Sequence, residues 1–348
     1  MVSRDDIDPS VPAAVGWLVD LCARDTTTGR EDDGLDVLTG LLASLGARVE
    51  VQEVAPGRSN VAAFWGRPRV LFSTHLDTVP PYFPPKVLAD RVQGRGACDA
   101  KGQAVAQLSA VQGLLAQGLD EVAWLGVVGE ETDSIGATAA YELRDAFREC
   151  RALINGEPTD LALATGQRGF VHLRLETRGR PAHSGTPEEG QNALWPLLDW
   201  LRDLRRVPLA EDPRLGAEVW NVGGLESAGA LNVVPHRAVA DLSLRPVPGS
   251  EFCRRAAELR PPQGRLTEVR GTSWELFEEI PGFRREPVPF GSDAPRLRRL
   301  IPEGKVVLAG PGSIRVAHTE EEFLTFADLV AGADLYRRLA LYFLESGP

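Results

Sequence analysis

The chain has 348 residues, 43% of them hydrophobic and 25% charged, with a net charge of −11. That length holds two or three domains with a buried core, and the negative balance argues against nucleic acid or an anionic membrane as partner. The start, MVSRDDIDPS, has no apolar segment of a secretory signal, and no apolar run reaches the ~18 residues of a membrane span. Cys22, Cys98, Cys150 and Cys253 are scattered without CxxC spacing. Reduced thiols in a cytoplasmic protein are therefore expected.

Apolar spacing predicts helices over 9–23 and 33–45, then short strands over 47–54, 60–65 and 69–74. A glycine-rich loop, GRGACDAKG at 94–102, leads into a helix over about 102–117, stopped by Gly118. VAWLGVVG at 122–129 reads as a buried strand, followed by a helix at about 134–148 and a strand at 152–155. Strands alternating with helices predict a mostly parallel α/β sheet. The pattern changes near Gly166. Strands at 169–178, 217–224, 236–246 and 264–271, with helices at about 190–205 and 250–260, follow the order βαββαβ of the split βαβ sandwich. The α/β pattern resumes with a helix at about 293–300, a strand at 305–309 and a long helix from about 320 to 345. The expected domains are 1–166 and 276–348 for the α/β part, with 167–275 inserted as an α+β domain.

Chemistry-bearing residues fall at the ends of the predicted α/β strands. LFSTHLDTVP (71–80) begins as a buried strand and turns polar at His75 and Asp77. Residues two apart on an extended backbone share a face, so a carboxylate can support a metal-ligating imidazole there. Asp99, Glu131, Glu157 and His318 stand at the other strand ends or in the loops after them. Two histidines and three carboxylates suffice for two zinc ions when one carboxylate bridges, and with a hydroxide the charges cancel. Glu130 and Glu131, read as neighbours on an extended segment, point opposite ways, so Glu131 can coordinate while Glu130 acts as base. Gly94-x-Gly96 and Gly310-x-Gly312 complete no phosphate-binding motif, and no GxSxG elbow exists.

THLDTVP, GRGACDAKG, GEE, GEPT, PAHSGTPEEGQNA and GPGSIRVAHTEEEF, in that order, resemble the dinuclear-zinc amidohydrolases that include acetylornithine and acetylcitrulline deacetylases, succinyl-diaminopimelate desuccinylase, aminoacylase and glutamate carboxypeptidases. The resemblance implies a zinc-peptidase-like catalytic domain and a ferredoxin-like lid and dimerisation domain. It implies His75 and Glu157 on one zinc, Glu131 and His318 on the other, and Asp99 bridging, with cobalt or manganese as substitutes in vitro. It further implies that Asp77 orients His75, that Glu130 is general base and then acid, and that the Asp99–Ala100 bond is cis. In the inserted domain, His183 would stabilise the oxyanion, often from the partner subunit, while Asn232 and Arg245 contact substrate, Arg245 through its carboxylate. Cys98 is read as a small buried residue, and His172 and His236 as structural or surface. The expected activity is removal of an acyl group, acetyl first, from an N-acyl amino acid such as N-acetylornithine or N-acetylcitrulline, by a metal-bridging water activated by Glu130 in a cytoplasmic homodimer. Desuccinylation, a carrier-linked lysine or ornithine substrate and carboxypeptidase action are alternatives. A non-catalytic metal-binding regulator is the alternative from another class.

Overall fold

A computed structural model describes residues 13–345. Residues 9–12 of the first expected helix lie outside this range; the described helix is Ala13–Cys22. The chain divides into two compact units. Among the described residues, the first comprises 13–165, 277–286 and 292–345, and the second 166–276 and 287–291.

The first unit is built on a six-stranded mixed sheet in the order Arg48–Ala55, Arg58–Trp65, Val122–Val127, Val70–His75, Ala152–Gly156, Lys305–Ala309. The first three strands pair antiparallel, and the last four, counting Val122–Val127 again, pair parallel. Every residue of Val70–His75 and of Val122–Val127 is buried. That fits the unbroken apolar run of Val122–Val127 and the apolar start of Val70–His75, whose Ser73 and Thr74 are buried with hydrogen-bond partners, because these strands are covered on both faces. Helices Lys101–Leu115 and Phe326–Glu345 pack against each other and share one core with Val70, Phe72, Trp124 and Ile154. No helix among the described residues is long and apolar enough to cross a membrane.

Three expectations need correction here. The strand read as 122–129 ends at Val127, and Glu130-Glu131 lies on a turn. Residues 134–148 form two short α-helices, Ile135–Ala139 and Arg144–Phe147, joined by a 3-10 turn. The last helix begins at Phe326 rather than near 320, because Phe323–Thr325 is a strand paired with Arg91–Gln93.

The second unit is a four-stranded antiparallel sheet in the order Val219–Ser227, Arg237–Arg245, Phe170–Arg178, Gly264–Thr272. Helices Leu194–Leu204 and Phe252–Glu258 share its core with Leu173, Leu175, Leu242 and Leu244. The βαββαβ reading therefore describes the observed element order, apart from two two-residue strands near 211–217. Val219–Ser227 is an edge strand, and its Val219, Val222 and Leu225 are 40–49% exposed.

Gln107 ties the central helix to the strand that carries His75. Its amide nitrogen donates to the Ser73 carbonyl at 2.9 Å, and its amide oxygen accepts from the Trp124 indole at 2.8 Å, all buried. Gln107→Leu leaves both partners unpaired, at about 1–3 kcal/mol each. We expect a loss of about 2–6 kcal/mol in urea unfolding; an unchanged midpoint would contradict this role.

Candidate metal centre

His75 is the last residue of its strand, where buried backbone gives way to loop. Its Nε2 lies 2.8 Å from Oδ1 of Asp99 and 4.0 Å from Oε2 of Glu157. Asp99 directs its other oxygen, Oδ2, to Nε2 of His318 at 3.3 Å. The same His318 nitrogen lies 2.9 Å from Oε1 of Glu131. The ligand atoms of His75, Asp99 and Glu157 all fall within 4.8 Å of one another, as do those of Asp99, Glu131 and His318. Two triads thus share one carboxylate, and all five side chains belong to the first unit.

The elements around them set this geometry. Glu157 follows the strand Ala152–Gly156, and its N–H donates to the Ala309 carbonyl of the neighbouring parallel strand. Gly129 has φ +81°, a conformation that favours glycine. Its carbonyl accepts from the N–H groups of Thr132, Asp133 and Ser134. This reversal carries Glu130 and Glu131 out of the strand. His318 also has positive φ, +63°, a sparsely populated conformation for a side chain of its size, and its ring is 49% exposed. The Asp99–Ala100 peptide is cis.

Asp77 acts differently from the sequence expectation. The Nδ1–H of His75 donates to the Asp77 backbone carbonyl at 2.9 Å, while the nearer carboxylate oxygen is 3.6 Å away. The Asp77 carboxylate instead accepts from the N–H groups of Glu130 (3.1 Å) and Glu131 (3.2 Å) and from the Thr28 hydroxyl (2.9 Å). One residue therefore steadies the imidazole through its main chain and the two glutamates through its side chain.

Glu322 was assigned no role from sequence. It is fully buried and accepts from the N–H groups of Cys98 (3.1 Å) and Asp99 (3.0 Å) through one oxygen, and from Arg95 (2.6 Å) through the other. Arg95 is itself 1% exposed. This paired, hydrogen-bonded carboxylate clamps the backbone that presents Asp99. Cys98 is a buried thiol, its pKa raised well above the ordinary value by burial and by the charge of Asp99.

Electrostatics follow from this crowding. Burial would raise the Asp99 pKa, but hydrogen bonds with His318 and His75 outweigh it and lower it. Burial likewise opposes the His75 imidazolium, yet bonding to Asp77 and Asp99 and the charge of Glu157 raise its pKa well above normal. Hydrogen bonds to Asp99 and Glu131 push His318 up to about 10. Burial, with the charge of Glu157, raises Glu130; burial also raises Glu157. The cluster is thus over-supplied with carboxylate and holds protons where it can. Nitrogen and carboxylate oxygen in two convergent sets, one oxygen pair shared, are the donors that a pair of divalent cations takes. The residues fit such a pair.

The remaining expected site residues lie in the second unit. His183 is exposed, accepts from the Gly185 N–H at 3.0 Å through Nδ1, and pairs with Val233 as an isolated bridge. Asn232 is its neighbour, its carbonyl accepting from the Ser184 N–H at 2.9 Å. Arg245 ends the strand Arg237–Arg245, with its guanidinium 4.8 Å from the Phe170 ring centroid. His183 and Asn232 lie beyond the Arg237 end of that strand, where Gly179 N–H donates to the His236 carbonyl. Eight residue steps separate the two ends, about 25 Å. His172 hydrogen-bonds Asp241 at 2.7 Å, and Asp241 also makes an ion pair with Arg174 at 2.9 Å.

Comparison with known proteins agrees with this geometry. Peptidase family M20/M25/M40 matches residues 71–342. A peptidase M20 domain-containing protein of Schizosaccharomyces pombe is 31% identical over 99% of this chain and 88% of its own. A probable carboxypeptidase of Aspergillus clavatus is 34% identical over 94% of this chain and 81% of its own. Among solved structures, an M20 family metallo-carboxypeptidase from Sulfolobus solfataricus superposes with a TM-score of 0.76 at 17% identity, covering 97% of this chain and all of that one. The chain belongs to peptidase family M20/M25/M40 and is a metal-dependent hydrolase of that family.

Proposed function

We propose that the protein hydrolyses an amide bond whose amine side is an amino acid with a free α-carboxylate. The observation that carries this reading is the pair of triads joined by Asp99, with Glu130 beside them and outside both. His75 and Glu157 would hold one divalent ion and Glu131 and His318 the other, with Asp99 shared; zinc is the ion these donors suit best. When bound, such ions supply Lewis-acid polarisation of the scissile carbonyl and acidify water.

The chain's own residues supply the rest. Glu130 is not needed as a ligand, and Asp77 holds its backbone in place. Its carboxylate takes the proton from the attacking water and returns it to the leaving nitrogen. His183 supports the oxyanion and Asn232 the substrate. Arg245 grips the α-carboxylate bidentately. His183 lies beyond the Arg237 end of the strand that Arg245 closes, and that strand, about 25 Å long, exceeds the span of one small substrate, so we infer that a second copy supplies His183. The exposed apolar edge strand Val219–Ser227 is the surface offered for that homodimer.

The relatives named as carboxypeptidases favour a peptide substrate cut before its C-terminal residue. Deacetylation of N-acetylornithine or N-acetylcitrulline, which the motifs resemble most, uses the same machinery and is the second reading. A panel of dipeptides, tripeptides, N-acetylornithine, N-acetylcitrulline and succinyl-diaminopimelate, each with the zinc-loaded protein, separates them. Turnover should fall about 100-fold when the α-carboxylate is amidated. Equal turnover of amide and acid would sink the proposal. Glu130→Gln should lower kcat by about 10²–10⁴ without loss of bound metal; near wild-type kcat would remove Glu130 from the mechanism.

The raised His318 pKa adds a pH dependence. A metal must displace the proton that His318 holds up to about pH 10. Raising the pH removes this competitor. Apparent zinc affinity in chelator-buffered solution should therefore climb about tenfold per pH unit between pH 7 and 8.5. A flat profile would contradict it.

A further inference from the structure

The end of the first unit away from the metal centre carries a feature that the hydrolysis leaves unused. The strands ending at His75 and Gly156 begin just after Arg69 and Arg151, and Lys305 opens the third. These beginnings are laced together: Arg151 N–H donates to the Arg69 carbonyl at 2.7 Å, and Lys305 N–H to the Arg151 carbonyl at 2.8 Å. A cavity of about 740 Å³ opens there. From Arg69 to His75 is six residue steps, about 20 Å. A ligand in the cavity would not touch the metal-ligand cluster.

The lining is basic in a chain that is acidic overall. Arg67, Arg69, Arg144, Arg148, Arg151 and Arg299 face Asp145, Glu149 and Glu303. Two of the six are paired, Arg67 with Glu149 at 2.7 Å and Arg69 with Glu121 at 3.5 Å. Arg144, Arg148, Arg151 and Arg299 make no ion pair among the described residues. Arg144 and Arg299 are both held against the Tyr141 ring, 4.8 and 4.5 Å from its centroid. Tyr141 thus anchors two guanidiniums that no carboxylate among the described residues neutralises, and both line the cavity, where an anion would supply the missing countercharge.

We infer that this cavity binds a small molecule carrying two or more phosphate or carboxylate groups. Its volume lies within the 300–1,000 Å³ typical of small-molecule sites. Planar guanidinium forks match both oxyanions bidentately. The rest of the surface, with 49 acidic against 38 basic residues over the whole chain, repels such a ligand and leaves this cavity to collect it.

The test is calorimetric titration of the zinc-loaded full chain at constant ionic strength. The probes are fructose 1,6-bisphosphate for phosphate and benzene-1,3,5-tricarboxylate for carboxylate. One saturable site per chain is expected for at least one probe, and whichever binds identifies the oxyanion. Arg148→Gln/Arg299→Gln should weaken that binding at least tenfold with amide hydrolysis unchanged, and Arg144→Gln/Arg151→Gln should do the same. Failure of both probes to bind, or undiminished binding in both double variants, would overturn the inference. Undiminished binding of the tricarboxylate alone would assign it to the metal centre and remove carboxylate from the ligand class.

Discussion

The Asp99 carboxylate faces two histidines at once, and the rest of the first unit is arranged to keep it there. One oxygen meets His75 and the other His318, residues 243 positions apart in sequence. A buried carboxylate with two imidazole neighbours is stable only while the positive charge on its far side is maintained. The pull works in both directions: Asp99 raises the pKa of each histidine, and the histidines lower that of Asp99. Divalent cations replace protons on these histidines with greater charge. The backbone holding Asp99 is fixed from behind by Glu322 and Arg95, so its position is set before any cation arrives. Such pre-organisation is what a hydrolytic metal site needs.

Much of this was legible from sequence because parallel strands announce themselves. A strand buried on both faces opens as an apolar run, VLF before His75 and ALI before Glu157, and the chemistry-bearing side chains follow close behind, although the buried polar Ser73, Thr74 and Asn155 come first. The Glu130-Glu131 turn was not legible. It depends on positive φ at Gly129 and on the Asp77 side chain, more than fifty residues earlier in the chain. Glu322 was hidden for a related reason. The run Glu320–Glu322 resembles the acidic first turn of a helix. A three-residue strand at Phe323–Thr325, too short for periodicity to reveal, instead joins Arg91–Gln93 and brings Glu322 under the Asp99 loop. Asp77 was expected to support His75 through its carboxylate; the contact at 2.9 Å is made by its carbonyl, and sequence does not distinguish the two groups of one residue.

The second unit shows how topology limits what one chain can do. Its split βαβ order was readable from alternation and element lengths, and its core follows that pattern. The same topology places His183 beyond one end of a strand whose other end is Arg245. Two residues expected to meet one substrate are thus separated by the length of a strand. That separation is what leads us to propose a second copy of the chain at the site.

The central claim is that five side chains of one unit form a two-ion site through a shared Asp99. Metal analysis after equilibration with buffered zinc tests it most directly. The account predicts two tightly held zinc equivalents per chain in the wild type and loss of both, or a fall to weak binding, in Asp99→Ala. Two equivalents retained by Asp99→Ala, or none held by the wild type, would contradict it.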